Sequence, residues 1–219
     1  MSKRFCSTAL LLASVVCASI SAGADDTVTT TQTTVTTEGR SQDRFFRRII
    51  FEGSLVNAGY QGDDSARYSN PNGYSAGILF DLLGRRGLVL ETGALYRQLG
   101  TTYDNGLGAN TFTANYISIP FDLKYYFSGQ EVTSLYLKAG VLGSTLISNN
   151  TMYATPATQI GANAWETAFL GGLGCKFNLS SATDLLLEAD YSRSINSVFD
   201  NASVYRSDIS AALGFAINL

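Results

Sequence analysis

Residues Asn115–Phe127 read NYISIPFDLKYYF, and the fold turns on which side of this segment faces oil. Every second side chain from Asn115 is Asn, Ile, Ile, Phe, Leu, Tyr, Phe. The alternate row is Tyr116, Ser118, Pro120, Asp122, Lys124 and Tyr126. A period of two with one apolar row is the mark of a β-strand. A small soluble barrel would turn the apolar row inward and leave Asp122 and Lys124 in water. A barrel that crosses a membrane reverses this, with apolar side chains outside, polar ones inside and aromatic rings at the boundaries.

The same alternation recurs on both sides of the segment. It predicts strands over residues 48–60, 73–83, 88–99, 112–127, 134–148, 166–178, 184–199 and 204–219. In the second, Tyr74, Ala76, Ile78, Phe80 and Leu82 oppose Ser75, Gly77, Leu79 and Asp81; in the third, Leu88, Leu90, Thr92, Ala94 and Tyr96 oppose Val89, Glu91, Gly93, Leu95 and Arg97. The last strand carries Tyr205, Ile209, Ala211, Leu213, Phe215, Ile217 and Leu219 on one face. Polar stretches at 61–72, 100–111, 149–165 and 198–203 alternate with tight turns such as Gly84-Arg85-Arg86-Gly87. Odd and even links of an up-and-down barrel lie on opposite rims, so this rhythm predicts loops at one rim and turns with both termini at the other.

Collected over all strands, the polar row holds Glu52, Asp81, Glu91, Asp122, Glu188, Asp190 and Asp208 against Arg97, Lys124, Lys138, Lys176 and Arg206. A soluble interior would instead have to absorb a dozen rings, among them Phe51, Phe80, Phe121, Tyr125, Phe169 and Phe215. Eight strands enclose a space only wide enough for side chains to fill. The volume argument favours an all-β, eight-stranded antiparallel up-and-down transmembrane β-barrel with the charged row inside. Buried unpaired charges cost several kcal/mol each, so these twelve residues are expected to pair as an ion network. Pro120 has no free edge to occupy in a closed sheet and should mark a bulge or a missing ladder bond.

Before the strands, Lys3 and Arg4 precede an apolar run over Ala9–Ile20 and the small-residue exit Ala22-Gly23-Ala24, the pattern of a cleaved export signal over residues 1–24. Cleavage there removes two of the 15 basic residues and takes the formal charge from −3 to −5. It also leaves Cys175 as the single cysteine, which precludes an internal disulfide framework. The Thr-rich run Asp25–Arg44 has little to bury, so residues 25–47 are expected to form a flexible periplasmic leader, with the barrel domain over 48–219. The charge balance excludes a polybasic nucleic-acid binder. Histidine is absent, which removes His-dependent triads and His-containing zinc sites, and no cofactor motif occurs. Glu188 and Asp190, two apart on one face, are open to a shared-proton role or to a structural ion network.

The segment Tyr116–Phe127, the exit Ala22-Gly23-Ala24 and the terminal Leu213–Leu219 resemble the small Gram-negative outer-membrane barrels of the OmpA/OmpX-like, porin-like type. The resemblance covers about Arg48–Leu219 and departs at the last residue, Leu219, where such barrels usually end in an aromatic. It implies residence in the cell outer membrane, with termini in the periplasm and long loops outside. It also implies contact with membrane lipid and lipopolysaccharide, insertion by the outer-membrane assembly machinery, and a monomer. Enzymes of this class use a histidine, so a non-enzymatic role in envelope structure or surface contact is expected, with residues 149–165 as contact surface or Trp165 as interfacial anchor. The alternatives are a narrow channel for ions or small solutes and a soluble secreted barrel binding a hydrophobic ligand.

Overall fold

The computed structural model describes residues 45–62, 68–69, 72–85, 87–104, 109–128, 133–152, 162–199 and 203–219. The export signal at 1–24 and all but the last residues of the 25–47 leader lie outside these. Among the described residues there are nine strands: β1 (Phe46–Gly62), β2 (Tyr68–Ser69), β3 (Asn72–Arg85), β4 (Leu88–Asp104), β5 (Ala109–Tyr126), β6 (Ser134–Met152), β7 (Trp165–Asn178), β8 (Thr183–Ser194) and β9 (Val204–Asn218). The two-residue β2 only lengthens the wall beside β4. The other eight pair antiparallel in chain order, β4 with β5 and β1 with β9 completing the circle. The result is a closed eight-stranded, all-antiparallel β-barrel. Closure matters physically because it leaves no open sheet edge among the described residues to be hydrogen-bonded by water, which the hydrocarbon layer does not supply.

The two faces divide as alternation requires. On β5 the even positions from Phe112 to Tyr126 are buried, while Ile117, Ile119, Phe121, Leu123 and Tyr125 face outward. Leu55 is 73% exposed and Phe121 55%, whereas Lys124 and Glu91 are fully buried. No soluble protein gains by burying a lysine and presenting a phenylalanine; hydrocarbon outside makes both favourable. The soluble-barrel alternative is thereby overturned, because the oily row lies outside the barrel and the charged row within it.

The outward apolar row runs Leu88–Tyr96 on β4 and Ile117–Phe127 at β5 and its turn. A tilted strand needs about 9–11 residues to cross a hydrocarbon layer. A belt of amides and hydroxyls lies above it: Asn57 donates to Asn72 at 3.0 Å, and Tyr96 and Gln98 both donate to Asn115 Oδ1 at 2.9 and 3.1 Å. Trp165, 70% exposed, opens β7 at this level, where it pairs with Thr145. Among the described residues no helix is long and apolar enough to cross a membrane.

Several boundaries differ from the sequence reading. β1 starts at Phe46, two residues earlier than Arg48. The expected loop at 100–111 is mostly strand: β4 continues to Asp104 and β5 begins at Ala109. Thr101 prolongs the inward row of β4 there, and threonine suits a pleated surface. Likewise β6 runs on to Met152, and the loop before Trp165 is correspondingly shorter. β8 stops at Ser194, well short of residue 199.

At Pro120 the expected gap appears on one side. The β4–β5 register passes from Thr92↔Phe121 to Leu95↔Ser118, skipping the pairs opposite Pro120 and Ile119. Thr92 Oγ1 donates to the Pro120 carbonyl at 2.7 Å across this gap. The bulge lies elsewhere: Tyr116 faces Leu146 and Asn115 faces Ser148, so Ile147 is the additional residue.

Candidate functional site

The only chemistry-rich region among the described residues is the barrel interior, where three tiers of charge lie beneath an apolar cap and a second apolar cluster packs among the lower ones. The lower tier forms at the rim carrying the short turns and both barrel termini. Arg48 Nη1 donates to Asp81 Oδ2 at 3.3 Å, and Arg48 Nε lies 3.5 Å from Asp184 Oδ2. The same guanidinium donates to Tyr126 and to Asn218 Oδ1. Lys176 is fully buried here, 5.9 Å from the Tyr126 ring centre. Apolar Ile50, Leu79, Val89, Leu95, Leu186 and Ala216 pack with Tyr126 and Tyr136 around this level. Leu79, Val89 and Leu95 blur the alternation in the sequence because they build this cluster.

The middle tier converges on Glu188. Lys124 Nζ donates to its Oε1 at 2.8 Å, and Tyr136 donates to the same oxygen at 2.6 Å. Lys138 donates to Glu188 Oε2 and, at 3.0 Å, to Asp190 Oδ2. Lys124 also lies 2.6 Å from Glu91 Oε2. Glycine creates the room: a Cβ at Gly172 would collide with the Asp190 carboxylate, and one at Gly174 with the Tyr136 ring. Two large polar side chains therefore lie flat across β7, which only hydrogen at those positions permits. Glu52 and Asp122 also point into this tier but form no ion pair among the described residues, and Asp122 Oδ1 is buried without a hydrogen-bond partner.

The upper tier joins Arg97 Nη2 to Asp208 Oδ2 at 2.9 Å, Arg206 Nε to the same oxygen at 3.1 Å, and Arg206 Nη2 to Glu166 Oε2 at 2.8 Å. Above it, Val56, Leu99, Phe112, Tyr116, Ala162, Val198, Phe199 and Val204 form an apolar cap. Phe199 stacks on Tyr68 with ring centres 5.1 Å apart. Strands β1, β4, β5 and β9 supply most of the cap, and Ala162, Val198 and Phe199 come from two loops tied together by the Ala162–Phe199 bridge and by Asn163 N donating to the Val198 carbonyl at 3.0 Å. Thus Val198 and Phe199, read from the sequence as polar loop, are buried because they close the barrel mouth.

All twelve residues proposed from the sequence lie on the inward face. Ion pairs join nine of them: Asp81, Glu91, Arg97, Lys124, Lys138, Glu188, Asp190, Arg206 and Asp208. Arg48, Glu166 and Asp184 complete these pairs and were missed as site residues. The signal was available: each falls on the inward parity of its strand, close to a strand end where parity is hardest to extend. The Glu188–Asp190 pair shares Lys138 and not a proton-sharing contact of its own. No group of three or more metal-ligating side chains occurs among the described residues.

A closed antiparallel barrel with an apolar exterior and an ion-paired interior is the architecture of an integral outer-membrane protein. Residues 41–200 match the family described as outer membrane protein beta-barrel domain, and the chain belongs to that family. No curated protein sequence matches it. Among solved structures, it is similar to the outer membrane protein OprG from Pseudomonas aeruginosa, with 14% identity, 80% of this chain and 96% of that chain covered, and a TM-score of 0.56. It is also similar to Neisserial surface protein A (NspA), at 14% identity over 78% of this chain and 97% of that one, with a TM-score of 0.50. At such identities the likeness concerns the fold alone.

Proposed function

We propose that this chain is a non-enzymatic outer-membrane barrel with a closed lumen, which strengthens the envelope and offers its loop rim for surface contacts. The supporting observation is the filled interior. Among the described residues, the apolar cap, three charged tiers and lower cluster surround a cavity of about 40 Å³ at mid-depth and one of about 10 Å³ under the cap. A water needs some 10–15 Å³ on this measure, so these spaces hold a few waters and do not add up to a solute path. The ion-paired side chains present no nucleophile with an adjacent base, and Tyr136, Lys124 and Lys138 are all engaged by Glu188.

In this reading the rim with the short turns and the termini faces the periplasm, and the loops from β6 to β7 and from β8 to β9 face outward. Lipid and lipopolysaccharide surround the apolar belt, the assembly machinery inserts the monomer, and Trp165 anchors at the interface as ring dipoles favour. Loop residues 153–161, including Tyr153, lie outside the described residues. The test is planar-bilayer recording of refolded protein: the proposal expects no steps above the lipid baseline, and reproducible conductance would replace it with the narrow-channel reading.

A further inference from the structure

Toward the loop rim, the outward face of the described strands carries one arginine whose surroundings differ from the rest of the polar belt. On the β1–β6 side the amides and hydroxyls satisfy one another: Asn57 bonds Asn72, Tyr96 and Gln98 bond Asn115, and Asn115 Nδ2 donates to Ser148 at 2.9 Å. Arg193 is the last outward side chain of β8, one residue before the strand ends at Ser194. It is exposed, and among the described residues its guanidinium has neither a hydrogen-bond acceptor nor an ion-pair partner. The acids nearest to it along β8 and β9, Asp190 and Asp208, are buried on the inward face and held by Lys138, Arg97 and Arg206.

Four exposed rings and a bare strip of wall frame this arginine. Across the ladder it faces Phe169 on β7 and Ser207 on β9, which places their Cβ atoms about 4.5–5.5 Å away. Tyr191 lies on the same strand about 7 Å toward the turns, and Tyr205 lies diagonally on β9. Trp165 opens β7 on the loop side of Phe169. All four rings are exposed on the outward face. Ser207 in turn pairs with Gly59, so beside the guanidinium the wall presents a hydroxyl and a hydrogen in place of bulky side chains.

Acyl chains alone do not favour this arrangement. An outward arginine is costly at the membrane centre and close to neutral only at the boundary. There a phosphate offers the planar guanidinium two parallel charge-assisted hydrogen bonds. The negative faces of exposed rings attract the polarised C–H groups of a sugar, which a glycerol phosphate headgroup does not supply. We propose that Arg193 and the rings around it form a site for the phosphorylated glucosamine headgroup of lipopolysaccharide. Arg193 holds the phosphate, Ser207 lies beside it, and Phe169, Tyr191 and Tyr205 pack against the sugar and the first acyl carbons. The inference deepens the surface role given above and rests on its orientation, with the loop rim outside.

The test titrates refolded protein in neutral-detergent micelles with lipopolysaccharide, with the same lipopolysaccharide stripped of its lipid A phosphates, and with phosphatidylglycerol. Binding is read by Trp165 fluorescence and by the thermal midpoint, which a ligand of the folded state raises with the logarithm of its concentration. The expected result is saturable binding of lipopolysaccharide roughly tenfold or more tighter than of either other lipid, as one charged hydrogen-bonded contact implies. Arg193→Gln should remove that preference, Arg193→Lys should recover part of it, and Gln98→Ala on the opposite wall should leave it unchanged. Equal binding of the three lipids, or undiminished preference in Arg193→Gln, would overturn the site. Orientation is read separately: Ser203→Cys in a Cys175→Ser background should react with a membrane-impermeant maleimide on intact cells. A shielded Ser203→Cys would overturn the outward-facing rim, whereas the micelle titration decides the headgroup site whichever way the barrel is inserted.

Discussion

Replacing Lys138 with methionine isolates what the middle tier contributes. Methionine keeps the length and apolar stem of the side chain but removes the ammonium that serves both Glu188 and Asp190. Glu188 retains Lys124 and the Tyr136 hydroxyl. Asp190 loses the base it pairs with among the described residues, and the tier is left with one cation against five carboxylates. Breaking a buried pair by removing one partner costs about 3–5 kcal/mol, because the other charge remains buried and unmatched. This corresponds to roughly a hundred- to several-thousand-fold in the folding equilibrium. Trp165 is the only tryptophan in the chain, so its fluorescence reports urea unfolding of the refolded barrel in micelles without further labels. Lys138→Met/Asp190→Asn should recover part of the loss, giving a coupling energy beyond the roughly 0.5 kcal/mol expected of independent sites. A loss below about 1 kcal/mol, or strict additivity of the two changes, would refute the reasoning that interior charges are held by pairing.

Two further outcomes follow from the geometry. Phe121→Arg, near the middle of the outward row, should destabilise the barrel in bilayers by about 2–4 kcal/mol, whereas Thr111→Arg, beyond the amide belt, should be near neutral; equal costs in urea titrations would place the belt wrongly. Gly174→Ala should cost about 1–3 kcal/mol by pushing the Tyr136 ring off Glu188, while Gly53→Ala, where a Cβ meets nothing closer than 4.0 Å, should be neutral or mildly stabilising. Equal effects of the two glycine changes on the unfolding midpoint would remove the close-packing account of β7.

The facing of each strand was legible because parity is a local property: Asn115–Phe127 alone orders its outward and inward sides, and the buried row from Phe112 to Tyr126 follows it. What parity cannot give is height. Strands in a barrel are tilted and staggered, so residues paired across a ladder, such as Lys124 and Lys138, say little about which distant side chains meet across the lumen. Lys124 reaches Glu188 on the opposite wall, and Arg97 reaches Asp208, separated by 64 and 111 residues. Strand ends were also hidden. Thr101 on β4 and Ala109–Thr111 on β5 continue strands into a region whose Gly, Thr and Asn content reads as loop. Phe199 belongs to the cap because two loops fold over the mouth, a long-range arrangement without a periodic trace. Arg48, Glu166 and Asp184 sit at such ends, which is why the sequence named the acids and bases at the centre and passed over their partners at the margins.

The measurement that bears most directly on the account is a spin-label scan from Ser118 to Lys124 on refolded protein in bilayers, read with oxygen and with a water-soluble nickel chelate. Labels at Ile119, Phe121 and Leu123 should collide with oxygen and hardly with nickel, and labels at Ser118, Pro120 and Asp122 should be shielded from both. Nickel contact at the odd positions, or free nickel access at the even ones, would contradict an apolar exterior wrapped around a sealed, charged interior.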